Sequence, residues 1–163
     1  MNTIKKQLGT TLIEVLVAVV VMSVGLVGLA ALQTLSLKNN HSAYLRTQAT
    51  FLVYDMVDRM RANLIEAQAG SYVTSLGTAP SGTTNCQASA CTSTDLATFD
   101  INEWKCLLGN WDSQNTCSTT LSMVGMLPAG DGSVTRTGNI HTVSIRWNDR
   151  DGTQRTFQVS TEL

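Results

Sequence analysis

At 163 residues, with a formal charge of −1 from 11 Lys and Arg against 12 Asp and Glu, the chain is of one-domain size and has no long run of either sign. That composition indicates no broad basic face for nucleic acid and leaves room only for a local groove; no direct nucleic-acid binding is expected. His41 and His141 are isolated, and no nucleophile motif, phosphate loop or histidine-based metal motif is present, so neither catalysis nor a cofactor or metal is expected.

The first element is the apolar run GTTLIEVLVAVVVMSVGLVGLAALQTLSL over residues 9–37, which carries one charge, Glu14. From Val15 to Leu37 no side chain ionises, and at 1.5 Å rise per residue this stretch spans roughly 34 Å, close to the hydrocarbon thickness of a bilayer. Residues 1–9, MNTIKKQLG, hold two lysines and no acid, which keeps the N-terminus cytoplasmic and sends the rest across the membrane. A cleaved secretory signal, with Gly28-Leu29-Ala30 before the cut, and a plain single-span anchor are the rival readings. Neither explains Glu14, since an ionised carboxylate inside a bilayer costs on the order of 3 kcal/mol and needs a partner.

Lys5, Lys6, Gly9, Thr10, Thr11, Leu12, Ile13, Glu14 and Val15 resemble the class III signal of type IV prepilins and pseudopilins. That signal is a short basic leader ending in glycine, followed by a hydrophobic helix with glutamate at its fifth position. The resemblance implies cleavage between Gly9 and Thr10 by a membrane prepilin peptidase, methylation of the new N-terminal amine, and retention of the helix. Thr10 departs from the phenylalanine or methionine usual there. Glu14 matches the family's assembly glutamate, which by the same resemblance meets the N-terminal amine of a neighbouring subunit. Such a pair in low dielectric offsets much of the desolvation each charge suffers alone.

No proline precedes Pro80, so one helix from about Thr10 to Gln68 is expected, with Gly25 and Gly28 as weak points that also allow close helix packing. After Lys38, Leu45, Ala49, Leu52, Val53, Met56, Val57, Met60 and Leu64 recur at steps of three and four, an apolar stripe that a sheet would cover. Asp55 with Arg59, and Asp58 with Arg61, read as solvated helix pairs rather than intersubunit contacts. Gly70 is a fair stop.

Residues 71–98 are rich in Ser, Thr, Gly and Ala and read as a long loop without a packed helix or buried strand. All four cysteines, Cys86, Cys91, Cys106 and Cys117, follow the apolar run, which fits disulfides in an oxidising compartment. Three connectivities are open; nearest-neighbour pairing would close two short loops, and zinc ligation is the rival. Asp100 and Glu103 resemble a capping box for a short helix that turns Ile101, Trp104, Leu107, Leu108 and Trp111 to one side. Residues 133–137, 140–148 and 153–161 alternate as three strands, with Val143, Ile145 and Trp147 on one face. Asp149-x-Asp151-Gly152 resembles a fragment of a calcium loop, but the other ligands are missing and a hairpin turn is expected.

The stretch Tyr54 to Asn63, with its DM-x-DRMRAN wording, is similar to PilV-type minor pilins, as are Asp100 to Trp104, Leu127 to Val134 and Val143 to Trp147. This resemblance implies an α+β, type IV pilin-like fold: a long N-terminal helix, half in the membrane and half amphipathic, on a C-terminal antiparallel sheet. The expected divisions are a cleaved leader at 1–9, a transmembrane and filament-core half at 10–37, an amphipathic half at 38–69, and a disulfide-containing head at 70–163. The implied role is that of a minor pilin that primes pilus assembly and sits at the fibre tip, supporting adhesion, twitching motility or DNA uptake. Its partners would be other minor pilins, the major pilin, prepilin peptidase, the inner-membrane assembly platform and, before assembly, membrane lipid. It would wait in the inner membrane with a periplasmic head. A minor pseudopilin of a type II secretion system is the alternative, and an extracytoplasmic binding module is a further one.

Overall fold

The computed structural model describes residues 11–82 and 84–163. The chain divides at Asn40 and His41 into an N-terminal unit and a head of residues 41–163. Helix α1 runs over Leu12–Ala62. Within the apolar run Ser23 donates to the carbonyl of Val19 at 2.7 Å, and Thr34 to that of Ala30 at 3.0 Å. The hydroxyls thus bond to the helix's own backbone and need no partner outside it.

From His41 onward the stripe behaves as the spacing predicts. Leu45, Ala49, Leu52, Val53, Met56, Val57 and Met60 are all buried. Two expectations fail at its end. The helix is interrupted at Asn63, whose backbone leaves helical geometry (φ −123°, ψ 56°), and a short α2 follows over Leu64–Ala69. Asn63 Nδ2 donates to the Ser93 carbonyl at 2.8 Å, which holds the break in place. As a result Leu64 lies exposed, and Ala67 takes the buried position instead. Gly70 ends α2 in the left-handed region at φ 89°, with its N–H on the Ala67 carbonyl and that of Ser71 on Glu66, a Schellman closure that favours glycine.

The stretch 71–98 is less open than its composition suggests. Tyr72 is fully buried, and Thr74 forms a bridge with Val134. Helix α3 spans Ser93–Leu108, beginning seven residues before the expected capping box at Asp100. Its actual N-cap is Thr92, whose hydroxyl accepts from the Asp95 backbone N–H at 3.2 Å. Asp100 and Glu103 sit in mid-helix and serve another purpose, described below.

The cysteines pair as Cys86 with Cys91 and Cys106 with Cys117, leaving no thiolate for zinc. After α3 the chain passes through a π-helical turn at Thr116–Thr120 and returns under the helix end. There Gly109, Gly125 and Gly130 bring three backbones together so closely that a Cβ on Gly125 or Gly130 would overlap the neighbouring main chain.

Strands β1 (Asp131–Thr137), β2 (Ile140–Asn148) and β3 (Gln154–Glu162) form an antiparallel sheet in that order. The register aligns Val134, Val143 and Val159, and next to them Gly132, Ile145 and Phe157. These residues form the inner face, against which the α1 stripe, Trp104 and Leu108 pack to make the core. The β2–β3 turn is a hairpin, with the Asp149 N–H on the Thr153 carbonyl and Gly152 at φ 78°. The result is an α+β head in which one long helix lies on a three-stranded sheet.

Candidate functional site

Gly9 and Thr10, the expected processing residues, and Lys5 and Lys6 lie outside the described residues. Glu14 stands in the first turn of α1 with its side chain exposed, and among the described residues none pairs with it. Around it the large apolar side chains are bare: Leu12 is 80% exposed and Val24 70%. Among the described residues α1 is the one helix long and apolar enough to cross a membrane, and its apolar window has 0% of its residues buried. That sets it apart from the core helix of a soluble domain. An uncovered apolar surface of this extent requires lipid or other helices around it.

In the head, ionisable groups join the elements that follow. Arg59 of α1 donates from Nε to Asp55 at 2.9 Å and from its terminal nitrogen to Asp100 of α3 at 3.0 Å and to Glu103. Tyr72 donates to the other Asp100 oxygen at 2.6 Å. Asp55 and Arg59 are therefore not a solvated pair but part of a cluster that ties α1 to α3; Asp58 and Arg61, exposed and 3.2 Å apart, do form the surface pair expected. Burial opposes the Arg59 charge, yet the hydrogen bond to Glu103 and the charges of Asp55 and Glu103 hold its pKa above the ordinary value. Burial, helped by the bond to Asp100, raises the Tyr72 phenol.

A second pair was not singled out by sequence. Lys105, with its side chain 1% exposed, places Nζ 2.8 Å from Asp131 and donates to the carbonyls of Ser75 and Gly132 at 2.9 and 2.6 Å. Asp131 also accepts the N–H groups of Gly77 and Gly132. Burial lowers the Lys105 pKa more than Asp131 raises it. For Asp131, burial acts to raise the pKa, but the Gly77 N–H and Lys105 outweigh it and leave it lowered. The available signal was positional: Lys105 lies four residues after Ile101 and three before Leu108, on the inward stripe of α3.

Glu66 binds the hydroxyls of Ser71, Thr94 and Ser93, and Asp149 accepts from Ser42 and from the Arg150 N–H; these bonds lower both carboxyl pKa values. The unfolded chain therefore holds more protons than the head between the ordinary carboxylate range, 3.8 for aspartate, and the lower folded values. Stability is full at neutral pH and falls as acid is added through that window. Urea midpoints of the full chain in detergent, followed by tryptophan fluorescence from about pH 7 to about pH 3, should decline. Asp131→Asn should flatten that slope; an unchanged slope would count against the assignment.

His141 is buried with Nε2 3.0 Å from the Ala67 carbonyl, at the end of α2, and so belongs to the core. A groove of about 380 Å³ lies between α1 and the open end of the sheet, lined by Ser42, Arg46, Trp147, Arg155 and Thr156.

Two family models match adjacent stretches of the chain. The prokaryotic N-terminal methylation motif covers residues 4–30, and the Tt1218-like model, described as type IV pilin Tt1218, covers residues 31–102. No curated protein and no solved structure matches. The first model covers residues 4–9, Glu14 and most of the exposed apolar stretch; the second covers the buried stripe, Arg59 with its partners Asp55 and Asp100, and most of α3. With a methylation motif opening a long helix that lies on an antiparallel sheet, the chain belongs to the type IV pilin family.

Proposed function

We propose that this pilin is a minor pilin of the PilV type, part of a complex that primes type IV pilus assembly and sits at the fibre tip. Supporting this is the convergence of the resembling stretches. DM-x-DRMRAN supplies Asp55 and Arg59, and Asp100 to Trp104 supplies the two α3 carboxylates that also meet Arg59 and the indole that bonds to Leu52. The third stretch, Leu127 to Val134, supplies Asp131 and Gly132 beneath α3. Residues that are far apart in the chain thus form one connected head.

In this reading residues 1–9 are removed after Gly9, and 10–37 form the membrane and filament-core half of the helix. Residues 38–69 are its amphipathic half, and 70–163 the head. The lysines of the leader stay cytoplasmic, and the two disulfides suit a periplasmic head. The role is structural rather than catalytic, with prepilin peptidase, the assembly platform, other minor pilins and the major pilin as partners. Glu14 pairs with the N-terminal amine of the adjoining subunit, a charge contact that fixes register in a dry interior.

Deleting the chain should reduce the number of surface fibres. Restoring it as Glu14→Ala should give normal processing and membrane insertion but weak incorporation into sheared fibres. Normal fibre numbers in the deletion strain would overturn the priming role, and lost protein secretion with intact twitching would assign the chain to a type II secretion system instead.

A further inference from the structure

The groove between α1 and the open end of the sheet is lined by two guanidinium groups, Arg46 and Arg155, of which Arg155 is held only by long ion pairs. Ser42 and Arg46 stand one helical turn apart on α1, facing Trp147 and Arg155, which are directly opposed across β2 and β3. Among the described residues Arg46 has no ion-pair partner. Arg155 is 53% exposed, and its nearest carboxylates, Asp149 and Asp151, are 3.6 and 3.8 Å away, beyond good hydrogen-bond distance. Asp149 is itself buried and accepts from Ser42 and the Arg150 N–H. Trp147, in the groove wall, keeps a buried indole Nε1 with no acceptor among the described residues. Buried donors in folded proteins nearly always have a partner, so this one points to a ligand oxygen that the described residues do not supply.

Ser42 follows Leu37, the last residue of the apolar run, by five positions. Five residues reach at most about 18 Å in any conformation. If the run spans the bilayer, the groove is therefore tethered within reach of the headgroups, where tryptophan and arginine are favoured. Two guanidinium groups across a groove of this size suit a phosphate, which offers several oxygens to forked donors.

We propose that this groove binds the phosphodiester headgroup of an anionic phospholipid, seating the head on the membrane before assembly. The inference rests on the membrane placement of residues 10–37 given above. Arg46 and Arg155 hold the phosphate oxygens, with the Trp147 indole as a further donor. Withdrawal of the subunit into a fibre requires the lipid to leave.

The full chain, reconstituted in phosphatidylcholine nanodiscs with and without phosphatidylglycerol, tests this. Adding phosphatidylglycerol should shift the Trp147 indole N–H resonance and leave that of Trp104 in place. Phosphatidylglycerol retained after mild detergent extraction, counted by mass spectrometry, should fall about tenfold in Arg46→Gln and in Arg155→Gln. It should be unchanged in Arg61→Gln, whose guanidinium lies elsewhere on α1. Wild-type retention in both groove variants, or a static Trp147 resonance, would overturn the proposal. An equal shift produced by inorganic phosphate in uncharged detergent would replace the lipid with a free anion. A shift that follows protein concentration without phosphatidylglycerol would assign the groove to a carboxylate of a second copy. Failure of the chain to insert at all would overturn the membrane placement and this inference with it.

Discussion

Lys105→Ala should lower the unfolding free energy of the head by about 3–5 kcal/mol, the cost of leaving a buried carboxylate without its counter-charge. The substitution removes the ammonium from Asp131 and from the carbonyls of Ser75 and Gly132, in a place where water does not replace it. Burial already disfavours the lysine charge, so the loss comes chiefly from stranding Asp131. The double variant Lys105→Met, Asp131→Asn should recover part of it, because no net charge remains buried and the amide oxygen can still accept from one of the two N–H groups, Gly77 or Gly132, which bond to different Asp131 oxygens. Urea unfolding of the full chain in detergent measures both. If the double variant is as unstable as the single one, packing rather than charge governs the site.

Trp104→Ala should cost a similar amount, about 3–5 kcal/mol, for a different reason. The indole is fully buried, its Nε1 donates to the Leu52 carbonyl on α1 at 2.8 Å, and its ring lies over Gly132 of β1, where a Cβ would collide with it. One side chain therefore connects all three layers of the head. Removal leaves a cavity that α1, α3 and β1 can close only by moving together. Trp104→Phe should lose less, since the ring face remains and only the hydrogen bond and part of the volume go. Thermal unfolding of the two variants by circular dichroism separates these contributions, and equal losses would place the weight on the hydrogen bond.

Much of this head was legible in its sequence wherever periodicity and burial coincide. The seven buried positions from Leu45 to Met60 follow the helical period, and Val143, Ile145 and Trp147 follow that of a strand. The start of α3 was not legible by those means, because Ser93 to Thr98 are small or polar except for Leu96, which lies at the surface, and so contribute little to an apolar stripe. Its signal is Thr92 three residues before Asp95, a cap rather than a stripe. Asp100 and Glu103 invite the opposite error: their spacing resembles a cap, but their partner is Arg59, 41 and 44 residues earlier. Charged residues at inward positions can be placed only once their partners are known, and those partners here come from other elements. Lys105 is the plainest case. At the N-terminus the reverse holds: Glu14 is conspicuous in the sequence because it breaks an apolar run, and the head contributes nothing to its interpretation.

Both disulfides are local, closing separations of 5 and 11 residues, and neither joins α1 to the sheet. The sheet resists being sheared from α1 by side-chain packing, by Trp104 of α3, which bonds to Leu52 of α1 while its ring lies on Gly132 of β1, and by the contact between Ser42 and the Asp149 hairpin. Reducing agents would loosen the two loops and leave that mechanical joint as strong as before. The yield point under load is then set by the unfolding rate of the helix–sheet contact, and core substitutions, not cysteine substitutions, are the means of weakening it.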